Sequence, residues 1–105
     1  MNISTPVRFT SSDFSVHLNQ PFTLELETLP PILLQLRAVH NLENEDYGLL
    51  ARQSQRFAVV FHGPLRPILP KQIYRVKHPT MGRIDLLFVP IGPNGSAMQY
   101  KATLA

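Results

Sequence analysis

The chain has 105 residues and a net charge of +3, with 44% hydrophobic and 16% charged residues. That length fits one domain, because two would each be too small to bury a core, and the composition is the reverse of a disordered chain's. The longest apolar runs, Phe57–Phe61 and Leu86–Val89, fall far short of the ~20 residues a membrane span needs.

Near the start, Ser11-Ser12-Asp13 can cap a short helix running to about Leu18, which Asn19-Gln20-Pro21 then breaks. Phe22, Leu24 and Leu26 alternate with Thr23, Glu25 and Glu27, the pattern of a half-buried strand. After Pro30-Pro31, Leu34, Leu36 and Ala38 alternate with Gln35, Arg37 and Val39 as a second strand. Leu42 to Gln55 is polar and reads as a long surface loop. Arg56 to Phe61 is apolar on both faces, as in a central strand.

Gly63-Pro64, Pro67 and Pro70 keep the next stretch irregular. In Gln72–His78, Tyr74 and Val76 point one way and Ile73, Arg75 and Lys77 the other. His78 to Gly82 makes a turn, with His78 placed to hydrogen-bond the loop backbone, and leads into the apolar strand Arg83–Ile91. Asn94-Gly95 suits the positive φ of a hairpin corner before a last strand whose Met98, Tyr100, Ala102 and Leu104 share a face.

These six strands predict one all-β domain over 1–105, a small antiparallel sandwich or partly open barrel with one short N-terminal helix. The expected core is Phe22, Leu24, Leu26, Leu34, Leu36, Phe57, Val59, Phe61, Tyr74, Val76, Leu86, Phe88 and Tyr100.

Several motifs occur in order: Asp13-Phe-x-x-His-Leu, Phe22, Phe61-His-Gly-Pro64, Tyr74-x-x-x-His78-Pro79-x-Met-Gly82, Leu87-Phe-Val-Pro-Ile91 and Tyr100. Together, from about Asp13 to Ala102, they resemble a bacterial family of short β-domain proteins of unknown function, associated with genes for phage-tail-collar-like proteins. The resemblance implies a context and no catalytic residue. One departure is Asn19-Gln20 where a glycine is expected near the helix end; Asn tolerates the left-handed conformation better than most residues.

Candidate chemistry is sparse. There is no cysteine, hence no thiolate nucleophile or sulfur ligand, and folding in a reducing compartment is suggested. His17, His40, His62 and His78 lack the close spacing of a local metal site. Glu25 and Glu27 would share a strand face at about 7 Å, a spacing used in glycoside hydrolysis, yet an outward Glu-x-Glu is ordinarily a solvated face. No phosphate-cradling glycine loop or nucleophile elbow is present. The expectation is a protein that is not an enzyme and uses no cofactor and no metal.

Charge is the stronger signal. Residues 1–46 carry two basic and six acidic groups, a net −4, whereas 47–105 carry eight basic groups and Asp85 alone, a net +7. Arg52, Arg56, Arg66, Lys71, Arg75, Lys77 and Arg83 follow one another without an acid and form the candidate binding face.

The first expectation is a structural or accessory protein-binding component of a phage-tail-like or other multiprotein assembly, with self-association through sheet edges or a head-to-tail match of acidic and basic patches. Apolar Ile73, and Val39 on the polar side of its strand, point the same way. The alternative is a small binding module for an anionic ligand or nucleic acid through the basic 52–83 face. Nucleic acid ranks below protein, because the aromatics fall on inner faces rather than beside the basic residues. The start of the chain has no basic and apolar leader pattern, so the expected address is cytoplasmic, or an assembly exported without a signal peptide.

Overall fold

The structure, a computed structural model, describes residues 9–42 and 56–104. In chain order they form α1 (Ser11–Ser15), β1 (Pro21–Glu25), β2 (Ile32–Asn41), β3 (Phe57–Pro64), β4 (Gln72–His78), β5 (Gly82–Asn94) and β6 (Ala97–Leu104). The strands close into a barrel in the order β1-β2-β3-β6-β5-β4, with every neighbouring pair antiparallel. The part of the long loop at 43–55 lies outside the described residues.

The alternation seen in the sequence builds the interior. Phe22, Leu24, Leu34, Leu36, Val59, Phe61, Tyr74, Val76, Leu86, Phe88 and Tyr100 all point inward and are buried. Aromatic rings fill the centre: Phe61 lies 5.2 Å from Phe22 and 5.3 Å from Phe88, and Phe88 lies 5.9 Å from Tyr100. Such pairs add about 0.5–1.5 kcal/mol each beyond the area they bury. Ala58 and Val60 are buried on the other side of β3, as a strand apolar on both faces requires.

α1 closes one end of the barrel. Its N-cap is Thr10, whose side chain accepts the Asp13 amide while the Asp13 carboxylate accepts the Thr10 amide, a reciprocal capping box. The helix stops at Ser15, short of the expected Leu18, and buries Phe14 against Phe22 and Phe57. Asn19 takes φ +66 and its amide donates to the Leu36 carbonyl, so the expected turn is kept without glycine.

Three further places differ from what the sequence pattern predicts. Leu26 lies just past the end of β1 and is only half-buried, packed against the core's edge. In β2 the register shifts between Leu36 and Ala38, leaving Arg37 as the extra residue of a β-bulge. The bulge reverses the alternation, so Val39 pairs with Val59 and packs on the core, and Ala38 turns outward beside Val60. A second shift between Pro90 and Gly92 extends β5 to Asn94, and the hairpin corner falls on Gly95-Ser96, one residue later than expected, with φ +63 at Gly95.

Candidate interaction surface

β1, β4 and β5 stand side by side, and their outward residues form three rows across the barrel wall. One row is Thr23, Lys77 and Arg83; the next is Glu25, Arg75 and Asp85; the third is Ile73 opposite Leu87. The rows arise because residues directly opposite in an antiparallel ladder share a face.

Three members of the candidate basic face therefore meet here, but they meet acids as well. Arg75 Nε donates to Asp85 Oδ1 at 3.3 Å. Glu25 sits between the other two, with Oε2 3.8 Å from Lys77 Nζ and Oε1 3.9 Å from Arg83 Nε. These pairs are partly solvated, so each stabilises by only about 0.2–1 kcal/mol. Their larger effect is on the field, since two carboxylates lie among three cations.

The other basic residues are spread over the barrel. Arg56 precedes β3 at the α1 end, and its carbonyl accepts the Leu42 amide. Arg66 and Lys71 lie in the β3–β4 connection at the opposite end. Arg52 lies outside the described residues. The seven cations of the sequence thus do not share one face among those described. The −4 and +7 halves also mix, because Glu25 from the acidic half stands between Lys77 and Arg83 from the basic half. Every described phenylalanine except half-buried Phe9 is buried, and so are Tyr74 and Tyr100, which leaves no exposed ring for base stacking among the described residues.

Glu25 ends β1 and Glu27 lies beyond it, so the two do not stand on one strand face as the sequence suggested. Glu25 is committed to cations, and both carboxylates line the groove beside Ile73.

Histidines the sequence kept apart are brought together. The rings of His17 and His78 lie 4.2 Å apart, and Gln20 Oε1 is 2.9 Å from both His17 Nδ1 and His78 Nε2. His78 Nδ1 accepts the amides of Thr80 and Met81 at 3.1 and 3.3 Å. That nitrogen therefore carries the lone pair, and the proton sits on Nε2 facing Gln20. Burial, and then the neighbouring His17, lower the His78 pKa from 6.5. The chemistry is that of a turn clamp. Sequence reasoning missed the cluster because its members meet only through the β1–β4 pairing. Among the described residues no group of three His, Asp or Glu is placed to hold a metal ion, and no described helix is long and apolar enough to cross a membrane.

What the wall offers is apolar surface. Ile73 is 65% exposed, Leu87 across from it 45%, and Leu29 of the β1–β2 connection, which shares a groove with Ile73, 56%. On the far side of β5 the wall parts. Residues 82–88 of β5 pair with β4 and 89–94 with β6, so among the described residues 82–88 lack a second strand. The end of β6 at Thr103 and Leu104 leans away, leaving a wedge of about 1080 Å³ between β5, β6 and α1. Phe9, Val16, Met81, Leu87 and Leu104 line it with the charged residues Asp13, Arg83 and Asp85.

The described residues thus form a small closed antiparallel barrel with an apolar, mixed-charge wall. The chain belongs to the family described as a domain of unknown function, DUF6916, which matches residues 9–104. No curated protein and no solved structure matches it. The motif residues behind the resemblance have structural tasks: a Cβ on Gly63 would lie 2.7 Å from Leu34 Cδ2, Tyr100 Oη accepts the Leu69 amide, and His78 with Gly82 shapes the β4–β5 turn.

Proposed function

We propose that this barrel is a non-catalytic, protein-binding component of a multiprotein assembly, of the phage-tail-like kind that the sequence resemblance suggests. The observation that carries the reading is the exposed apolar set of Ile73, Leu87 and Leu29 on a wall whose neighbouring charges are already paired with one another. A wall in that state has little net field to attract a polyanion, and it exposes apolar area that a partner would remove from water at roughly 25 cal/mol per Å². The barrel interior is filled by its own side chains, so binding takes place on the outside.

The test is recovery of the tagged protein from its native host, wild type beside the double substitution Ile73→Asp and Leu29→Asp. Both positions are exposed, so the fold tolerates the change, and thermal unfolding verifies it. The expected result is a stoichiometric protein partner, or a self-assembled species, that the double substitution loses by about tenfold or more in affinity, as loss of an apolar anchor gives. Equal recovery with both proteins would contradict the reading, as would a wild type that emerges alone and binds oligonucleotides with a steep salt dependence.

A further inference from the structure

The edge of β5 that pairs with no second strand among the described residues has a partner of matching chemistry in another copy of itself. We infer that two copies of this chain join through antiparallel pairing of β5 residues 82–86, about a two-fold axis passing between the two Ile84 residues. This deepens the protein-binding reading, because it supplies the self-association step on which an assembly can grow.

The register follows from charge. In a two-fold antiparallel pair, residues facing each other must point to the same side of the sheet, so each residue meets one of its own parity. Centring on Asp85 would set Asp85 against its own copy, and like charges directly opposite are unfavourable. Centring on Leu86 would set Asp85 against Leu87 and leave Arg83 without an acid. Centring on Ile84 sets Arg83 against Asp85 of the second copy, and Asp85 against its Arg83. Two ion pairs form symmetrically, and Gly82 comes opposite Leu86 at each end of the paired segment.

The groups involved are available. Arg83 and Asp85 are exposed. The contact of Asp85 with Arg75 at 3.3 Å is exposed on both sides and gives way readily. Arg83 lies 3.9 Å from Glu25 Oε1, which is buried without a hydrogen bond, so Arg83 keeps that contact and extends it into a network. Across the wedge, Val16 is 70% exposed and would be covered by the entering strand. The interface is isologous, unlike the head-to-tail match that whole-chain charge suggested. It yields a continuous wall β4–β5–β5–β4 with an Ile73 near each end, so the apolar surface is doubled.

A charge exchange tests the register. Arg83→Asp places Asp opposite Asp85, and Asp85→Arg places Arg opposite Arg83. Each single substitution should weaken dimerisation by about tenfold in analytical ultracentrifugation, two contacts being reversed per dimer. The combined exchange restores opposite charges across the axis and should return the dimer to near its wild-type strength. Within one copy the exchange sets Asp opposite Lys77 and beside Glu25, and Arg opposite Arg75, so thermal unfolding of each variant separates effects on the fold from effects on the dimer. A second probe uses cysteine: mixing Arg83→Cys with Asp85→Cys should give the mixed disulfide in excess over either homodimer.

A wild type that stays monomeric at millimolar concentration would overturn the inference, as would single substitutions without effect, a folded double exchange that stays monomeric, or cysteines that couple at random. Loss of the dimer with retention of an Ile73-dependent partner would sink this proposal alone. Loss of the Ile73-dependent partner with a charge-rescued dimer would sink the wall as a docking site alone.

Discussion

The Thr80 and Met81 amides occupy the only lone pair of His78, so a second proton on that ring has no place without opening the turn. The His78 pKa is lowered in the folded barrel, whereas in the unfolded chain it keeps its ordinary value. The neutral ring's contribution is thus fully present above about pH 6.5, shrinks as pH falls below that point, and is gone once the pH has passed the lowered folded value. Urea midpoints measured at pH 8 and pH 5 should fall towards acid, with a His78 titration midpoint below 6.5; an ordinary midpoint would refute the clamp. Two tyrosines make the complementary case. Tyr100 Oη accepts the buried Leu69 amide at 2.9 Å, and Tyr74 Oη donates to the Pro70 carbonyl at 2.8 Å. Tyr100→Phe leaves a buried donor unpaired and should cost about 1–3 kcal/mol, while Tyr74→Phe costs less, about 0.5–1.5 kcal/mol, because exposed Pro70 can turn to water. Denaturant unfolding of both proteins checks the order.

At the scale of elements, the sequence revealed those features that repeat locally. The alternation in β1, β4, β6 and the first half of β5 assigned nearly all inward residues, and the two-sided burial of β3 was legible from Arg56 to Phe61. What stayed hidden depends on two strands at once. The β2 bulge at Arg37 is a mismatch in count between β2 and β3, so Val39 was assigned to the wrong face. The wedge exists because the 13 residues of β5 serve β4 and then β6, a division no single strand's pattern records. The candidate surface was half legible for the same reason. Parity put Ile73, Arg75 and Lys77 outward, but only the β1–β4 adjacency brings Glu25 between the cations. Asn19 offers a direct check on an element junction: at φ +66, Asn19→Gly should be nearly neutral, whereas Asn19→Ala should cost about 1 kcal/mol in thermal unfolding.

At the scale of the whole molecule, folding undoes the polarity written along the chain. Glu25 from the first half lies against two cations of the second on one wall, Arg66 and Lys71 go to one end and Arg56 to the other. Among the described residues the surface left over is apolar in rows and open at one strand edge, and that surface is the proposed place of binding. Light scattering of the purified protein over a wide concentration range, with an oligonucleotide titration on the same sample, tests this most directly. The expected result is a mass above the 11.9 kDa of one chain that grows with concentration, and little affinity for the oligonucleotide. A constant 11.9 kDa species that binds the oligonucleotide with steep salt dependence would contradict it.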